Sequence, residues 1–141
     1  MGISKASAQW NGGLKDGKGM MKPAHGPEVP FSLGTRFEGQ QGSNPEELIG
    51  AALSGCFSMA LSLGLEKEGL KPTSIKTSAD VQLDKQGEGF AITTILLTTE
   101  VSVPGTDDAQ FQKIAEETKK GCPVSKALGG VNITLKAKLA G

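Results

Sequence analysis

The chain has 141 residues, of which 15 are basic and 15 acidic, and only 4% are aromatic. This length fits one modest core, so we expect a single domain over residues 1–141. No basic cluster is present, which argues against nucleic acid as a partner. The first residues lack the apolar stretch of a signal peptide, and a cytoplasmic location is therefore expected. In that compartment a permanent disulfide between the two cysteines would be the exception.

The first forty residues are rich in glycine and proline and predict short strands joined by turns. The candidate strands are residues 4–11, 17–22 and 31–37. A strong helix start follows, because Asn44 is a good N-cap, Pro45 suits the first helical position and Glu47 can close a capping box. We expect this helix to end near Gly69.

Residues 48–65 of this helix carry no charge, which leaves two interpretations open. The length is sufficient for a transmembrane span. The glycines, serines and cysteine make the segment poorly hydrophobic, however, and a helix that is apolar all round is usually buried all round. We therefore expect a buried central helix and no membrane association.

The second half of the chain predicts three strands and a helix. Residues 74–83 and 131–139 alternate apolar and polar side chains, as strands with one wet face do. Residues 90–103 form a hairpin with the first of these strands. A helix opens at residues 106–108 and ends at Gly121, and a short helical turn follows Pro123. This order predicts an α+β domain in which an antiparallel sheet is wrapped on the central helix.

Few residues offer chemistry. Cys56, in the middle of the central helix, is either a core thiol or a nucleophile. Cys122, at a helix junction, is either an incidental thiol or one that the next helix favours as a thiolate. His25 lies in a proline-rich loop, and two cysteines with one histidine do not complete a structural zinc site without carboxylates. Arg36, the lone arginine, is either a surface residue or the cation that activates a cysteine.

Four segments together resemble one known family, the OsmC/Ohr proteins (osmotically inducible protein C and organic hydroperoxide resistance). They are residues 35–39 (TRFEG), 44–52 (NPEELIGAA), 56–60 (CFSMA) and 121–125 (GCPVS). The position of the arginine, shortly before the helix, is similar to that in the OsmC branch. The resemblance covers nearly the whole chain and implies an intertwined homodimer whose antiparallel sheets enclose two central helices.

The resemblance also implies a function and a site. It implies a cysteine-based, peroxiredoxin-like peroxidase that reduces organic hydroperoxides in oxidative and osmotic stress, with a dithiol or lipoyl-type reductant and with no metal, haem or flavin. Cys56 matches the peroxidatic cysteine, Cys122 the resolving cysteine, Arg36 the activating arginine and Glu46 its carboxylate partner.

An apolar substrate pocket near Cys56 is predicted from three side chains: Phe37, Phe57 and Met59. An apolar pocket of this kind favours bulky organic hydroperoxides, because burial of the alkyl group adds affinity.

Helix geometry adds a constraint on this site. Glu46 and Cys56 are ten residues apart, which is about 15 Å along a continuous helix. One guanidinium does not reach both ends of that distance. Either the helix is broken, or Glu46 acts on the Cys56 of a second subunit through an antiparallel helix pair. In that pair residues 50–52, which are glycine and alanine, would lie at the crossing.

Two other functions remain open on the residues alone. A sheet wrapped on an apolar helix could bind an acyl or lipid-like ligand. Alternatively, Cys56 and Cys122 could form a static structural bridge, whose reduction would lower stability substantially.

Overall fold

The structure is a computed structural model that describes residues 2–140. Contacts between residues divide the chain into two compact units, Met1–Leu48 and Ile49–Gly141. The boundary falls within one continuous helix, α2 (Pro45–Lys67), whose first turn belongs to the first unit. The single-domain organisation stays a prediction.

The first unit holds a small antiparallel sheet in the order β1 (Ala6–Asn11), β2 (Lys18–Pro23) and β3 (Val29–Phe31). Gly19 lies opposite Trp10 on one side and Phe31 on the other. A side chain at Gly19 would meet the Phe31 ring at 2.6 Å, so glycine is required for this close approach. The rings of Trp10 and Phe31 pack at 5.4 Å between centroids.

The prediction of a strand over residues 31–37 is wrong. The strand β3 ends at Phe31, and a short helix, α1 (Leu33–Phe37), follows it. Ser32 and Thr35 cause the change, because each side chain bonds the backbone N–H of the other, at 3.2 and 2.8 Å, in a capping box. This box closes a helical turn, and Arg36 lies in it.

The second unit contains the larger sheet, in the order β4 (Ser74–Gln86), β5 (Gly89–Ser102) and β6 (Asn132–Leu139). The predicted β4–β5 hairpin is confirmed. The prediction of a wholly antiparallel sheet is wrong, since β6 pairs parallel to β5. The chain passes from β5 to β6 through a crossover that contains α3 (Asp108–Gly121) and α4 (Pro123–Ala127). This crossover returns the chain to the end of the sheet where β5 begins, so β6 runs in the same direction as β5.

The core of the second unit lies between one face of the sheet, α3 and one side of α2. The inner face of α3 consists of Phe111, Ile114, Ala115 and Thr118, which are all buried. The buried apolar residues are Leu53, Phe57, Leu61, Leu65, Ile95, Leu97, Val101, Val103, Phe111, Ile114, Ala115 and Cys122.

The ends of α2 follow the sequence. Asn44 Oδ1 accepts the N–H of Glu47 at 2.8 Å, as an N-cap does. The predicted capping box does not close, because the Glu47 carboxylate accepts the Ser43 hydroxyl at 2.5 Å instead. At the other end Gly69 has φ +73°, and the N–H of Leu70 bonds back to the Leu65 carbonyl in a Schellman motif.

The expectation that α2 is buried all round is wrong for the chain by itself. Its buried side packs in the core, whereas Met59 is 77% exposed and Leu63 54% exposed on the opposite side. Of the helices within residues 2–140, α2 is the one long and apolar enough to cross a membrane by length and composition, and 28% of its most apolar stretch is buried. The exposed apolar residues of this open face are Ala51, Ala52, Gly55, Met59 and Leu63.

Candidate active site

The two thiols lie side by side in the second unit. Cys56 is in the middle of α2, and Cys122 is the N-cap of α4, directly after α3. Their sulfur atoms are 2.8 Å apart, and both cysteines are free thiols. A disulfide bond is about 2.05 Å long, so a small movement of either side chain brings the pair to bonding distance.

Backbone hydrogen bonds fix Cys122 at the junction of two helices. Its N–H donates to the Thr118 carbonyl at 3.0 Å and so caps the end of α3. Its own carbonyl accepts the N–H of Lys126 at 3.0 Å and so starts α4, with Pro123 in the first turn. The sulfur of Cys122 is therefore held at the entrance of α4, where backbone N–H groups point outward.

A chain of hydroxyl groups ties α2 to the sheet close to Cys56. Ser58 donates to Thr77 at 2.8 Å, and Thr77 shares a 3.0 Å hydrogen bond with the fully buried Thr99. Thr99 also lies 3.3 Å from the Lys76 carbonyl. Since buried hydroxyls are stable only when they are hydrogen-bonded, this chain fixes the rotation of α2 and with it the direction of Cys56.

The surroundings act differently on the two thiols. Burial and the hydrogen bond with Cys122 raise the pKa of Cys56. Burial opposes ionisation of Cys122 as well, but hydrogen bonds from Cys56 and from Ser125 and Val124 prevail and lower the pKa of Cys122. Inside one chain, therefore, the first negative charge of the pair is favoured on Cys122.

Access from solvent, in contrast, is greater at the sulfur of Cys56. Cys122 is completely buried, whereas Cys56 is half-buried. A molecule that arrives from solvent meets Cys56 first. Cys56 thus has the access that a nucleophile needs, whereas burial and the hydrogen bond with Cys122 raise its pKa and so oppose formation of the thiolate.

The first unit contains a guanidinium–carboxylate pair. Arg36 Nε donates to Glu46 Oε1 at 2.9 Å, and Arg36 Nη2 donates to the same oxygen. Both donors converge on one carboxylate oxygen, so the two partners do not form a pair of parallel bonds to two oxygens. The Glu46 side chain is 9% exposed and that of Arg36 37%. The carboxylate is thus enclosed, while the guanidinium keeps a face toward solvent, and Arg36 also stacks over Phe37 at 5.7 Å.

An apolar cavity of about 180 Å³ adjoins this pair in the first unit. This cavity was not predicted from the sequence, because its walls come from separate segments that only the fold brings together. The solitary tryptophan in an early strand was the available signal. The residues that line the cavity are Trp10, Leu14, Phe31, Ser32, Leu33, Arg36 and Pro45.

The predicted substrate-contact residues have different positions. Phe37 is 48% exposed and Met59 77% exposed, so both have surface available for a ligand. Phe57 is fully buried in the core of the second unit. Its assignment to substrate binding is wrong, since a completely enclosed ring leaves no surface for a ligand; the i,i+4 spacing with Leu53 and Leu61 places it on the core side of α2.

An α+β fold in which one reachable and one buried thiol lie within bonding reach defines a class of two-cysteine redox proteins. The sequence profile of the OsmC family, described as OsmC-like protein, matches residues 38–136. The chain belongs to the OsmC family, which confirms the predicted resemblance.

Named relatives share most of the chain. The chain is 53% identical to peroxiredoxin OsmC of Escherichia coli strain K12, over 96% of this chain and 95% of that one. It is 31% identical to an organic hydroperoxide resistance protein of Xanthomonas axonopodis pv. citri, over 69% and 68% of the two chains.

Solved structures show the same fold. The organic hydroperoxide resistance protein OhrB of Bacillus subtilis aligns with a TM-score of 0.68 at 26% identity, over 96% of this chain and 98% of that one. An OsmC-like protein of Mycoplasma pneumoniae aligns with a TM-score of 0.79 over 99% of both chains. At 14% identity this second likeness supports the fold alone.

Proposed function

We propose that the chain is a cysteine-based peroxidase that reduces organic hydroperoxides to alcohols in stress defence, with Cys56 as the peroxidatic thiol and Cys122 as the resolving thiol. The observation that carries the proposal is the pair of free thiols, 2.8 Å apart, of which one is reachable and the other buried. Relatives named peroxiredoxin OsmC and organic hydroperoxide resistance protein support the same activity.

The reaction proceeds in three balanced steps. The Cys56 thiolate attacks one oxygen of the hydroperoxide, the O–O bond breaks, and the alkoxide leaves as an alcohol after it takes up a proton. Cys56 is then a sulfenic acid. The Cys122 thiolate attacks the Cys56 sulfur, a disulfide forms, and hydroxide leaves as water. An external dithiol, of which a lipoyl-type compound is one example, then reduces the disulfide by thiol–disulfide exchange and is itself oxidised to a disulfide.

Arg36 has the properties that the first step requires. Its guanidinium offers several N–H donors in a planar head group, and Glu46 fixes that head group from one side. Placed near Cys56, the guanidinium would favour the thiolate and stabilise the charge that develops on the leaving oxygen. This would reverse the order of ionisation that the isolated chain imposes on the two thiols.

We propose that Arg36 and Glu46 act on the Cys56 of a second copy of the chain. The helix α2 is continuous from Pro45 to Lys67, so ten residues separate Glu46 from Cys56, or about 15 Å along the axis. An antiparallel pair of α2 helices in a homodimer would place Glu46 of one copy beside Cys56 of the other. The sheets of the two copies would then wrap the helix pair, and the open apolar face of α2 would be covered.

The residues at the proposed crossing differ in part from the predicted ones. Ala51 and Ala52 belong to the open face of α2 and are small enough for close helix approach. Gly50 was also predicted to lie at the crossing. It is instead buried against the sheet of its own unit. A Cβ atom added to Gly50 would lie 3.1 Å from Val81. The close approach that requires this glycine is thus within the chain.

The substrate class follows from the cavity beside Arg36. Its walls of Trp10, Phe31 and Leu33 are apolar, so we propose that it accommodates the alkyl part of an organic hydroperoxide while Arg36 faces the peroxide group. Burial of each methylene contributes about 0.8 kcal/mol. Bulky hydroperoxides should therefore be better substrates than hydrogen peroxide. Phe37 and Met59 remain proposed substrate contacts at the edge of the site. We also propose that the protein is cytoplasmic and that it binds neither nucleic acid nor membrane.

The test is turnover of cumene hydroperoxide with dithiothreitol. The proposal expects that Cys56→Ser abolishes the reaction. In a single-turnover assay without dithiothreitol, Cys122→Ser should still form one alcohol per site and stop as a sulfenic acid, because no second thiol is present to condense with it. A control, Cys56→Ser with Ala60→Cys, moves the thiol one turn along the same helix and should remain inactive. If Cys56→Ser keeps full turnover, or if hydroperoxide is not consumed at all, the proposal is wrong and a ligand-binding role takes its place.

A further inference from the structure

The hydroxyl of Ser125 is buried and makes no hydrogen bond within the described residues. Ser125 is 9% exposed, and its hydroxyl oxygen is the buried side-chain polar atom of residues 2–140 that lacks a hydrogen-bond partner. Buried polar groups without a partner are rare and unfavourable in proteins. Other buried hydroxyls in this unit are bonded, such as that of Thr118, which donates to the Ile114 carbonyl at 2.8 Å.

The position of Ser125 relative to Cys122 suggests what the hydroxyl is for. Cys122 is the N-cap of α4, and Ser125 is the third residue of that helix. In a capping box these two positions are the ones whose side chains and backbone groups meet. The backbone N–H and the side chain of Ser125 are among the groups that lower the pKa of Cys122. The hydroxyl is therefore near the sulfur, although it does not have hydrogen-bond geometry in the structure.

Ionisation of Cys122 would supply the acceptor that this hydroxyl lacks. A neutral thiol is a weak acceptor, and Cys122 is a thiol here that is hydrogen-bonded to Cys56. A thiolate is a much stronger acceptor, because hydrogen bonds to charged groups are about twice as strong as neutral ones. The hydroxyl therefore gains its partner only when Cys122 ionises.

We propose that Ser125 is a positioning residue that donates its O–H to the Cys122 thiolate whenever that thiolate forms. The proposal rests on the proposed peroxidase function and assigns Ser125 to two of its steps. In the first, the Cys122 thiolate attacks the Cys56 sulfenic acid. In the second, the Cys122 thiolate is the leaving group when the disulfide is reduced. Ser125 keeps its proton throughout.

Burial determines which sulfur the reductant attacks. Cys122 is completely buried and Cys56 is half-buried, so an external thiolate reaches Cys56. The S–S bond breaks, a mixed disulfide forms between Cys56 and the reductant, and Cys122 leaves as a thiolate. A leaving thiolate of lower pKa leaves faster. The same Ser125 hydrogen bond therefore assists both the formation and the opening of the disulfide.

The titratable groups around Cys122 are the same in the wild type and in Ser125→Ala. Cys56 faces it from α2, and the cavity that Cys122 lines also holds Lys67, Glu68 and Glu117. Ser125→Ala leaves all of them in place. A shift in the ionisation of Cys122 in this variant is therefore due to the hydroxyl.

The experiment measures the two chemical steps separately by rapid quench and mass spectrometry after one equivalent of cumene hydroperoxide. At a pH below the titration midpoint of Cys122, loss of one hydrogen bond to the charged sulfur lowers the thiolate fraction about tenfold. The higher nucleophilicity of the remaining thiolate offsets about threefold of this loss. At a pH below the Cys122 midpoint, we expect Ser125→Ala to form the sulfenic acid at the wild-type rate and the disulfide about threefold more slowly. Where Cys122 is fully ionised in both proteins, the more nucleophilic thiolate of the variant should form the disulfide about threefold faster, so the difference reverses as the pH rises.

Two control variants separate this role from a packing defect. Ser125→Thr keeps a hydroxyl and should restore the wild-type rate of disulfide formation. Thr118→Val removes an equally buried hydroxyl that already has a partner and should leave the pH profile of that rate unchanged. The proposal is overturned if Ser125→Ala forms the disulfide with the wild-type rate and pH profile, or if Thr118→Val shifts that profile equally.

A second readout does not depend on peroxidase activity. In the Cys56→Ser background, thiolate absorbance near 240 nm reports the ionisation of Cys122 alone. Adding Ser125→Ala should raise the pH at which half of Cys122 is ionised, by about one pH unit for a tenfold effect. An unchanged midpoint would overturn the role of Ser125 even if the peroxidase proposal holds. Conversely, a raised midpoint in a protein that never forms a sulfenic acid would refute the peroxidase proposal alone.

Discussion

Replacement of Glu46 by glutamine removes one charge from a buried site and keeps nearly the same shape. Two donors of Arg36 bond one oxygen of Glu46, whose side chain is 9% exposed. A hydrogen bond to a charged group contributes about 1.5–3 kcal/mol when both partners are buried. Since the Arg36 side chain is 37% exposed and the glutamine carbonyl remains an acceptor, water compensates for part of the loss. We expect a decrease of about 1–2 kcal/mol in the free energy of unfolding.

The assay is urea unfolding of four proteins: wild type, Glu46→Gln, Arg36→Gln and the double variant. If the pair is energetically coupled, the double variant is more stable than the sum of the single effects predicts, by about 1 kcal/mol. Glu47→Gln is the matched control, because it removes the same charge from the same helix turn where Glu47 accepts only the Ser43 hydroxyl. A coupling energy within about 0.3 kcal/mol of zero would refute the reasoning.

The remaining predictions concern the core, a surface carboxylate and the open face of α2. Phe57→Ala should lower the free energy of unfolding by about 3–5 kcal/mol, because the ring is fully buried, and a loss below about 1 kcal/mol in urea unfolding would contradict this. The Thr93 hydroxyl and the Gln82 amide hold the pKa of Asp84 below its ordinary value. The resulting stabilisation is therefore complete above that ordinary value and is lost as the pH falls through the folded-state pKa. Thr93→Val should raise this pKa in an NMR titration, and an unchanged titration would show that the hydroxyl is not the cause. Met59→Glu should convert the proposed dimer to a monomer in analytical ultracentrifugation, since it would bury a charge in the proposed interface. Met20→Glu, at another exposed methionine, is its control, and an unchanged mass for Met59→Glu would exclude this face from the interface.

Local rules were sufficient for most of the elements. The N-cap at Asn44, the end of α2 at Gly69 and the β4–β5 hairpin follow from residue preferences that act within a few positions. The short helix α1 was missed because alternating apolar residues in 31–37 are typical of a strand, whereas the Ser32–Thr35 capping box overrides that pattern.

Features that depend on distant parts of the chain were harder to predict. Pattern alone does not give the direction of β6, which is set by the crossover through α3 and α4. A segment apolar on every side predicts burial on every side, but not whether the same chain or another one covers it. Gly50, for example, was predicted to lie at a contact between two helices of different chains, but its small size is required for a contact with β4 of its own unit.

The site was predictable in its chemistry rather than in its surroundings. Cys56, Cys122, Arg36 and Glu46 were identified by resemblance, and the structure places them as two close pairs. The cavity beside Arg36 and the unpartnered hydroxyl of Ser125 were not predicted, because both depend on side-chain packing. The spacing of Ser125 from Cys122, three residues across a helix start, was nevertheless visible in the sequence.

The central claim is that Arg36 of one copy activates Cys56 of the other, and mixed dimers test it most directly. The measurement pairs a Cys56→Ser chain with an Arg36→Gln chain, each inactive alone, in one heterodimer purified through two different tags. If the site is shared, the heterodimer holds one intact site and should reduce cumene hydroperoxide at about half the wild-type rate. If the heterodimer is as inactive as either parent, Arg36 and Cys56 do not act across the dimer and the account is contradicted.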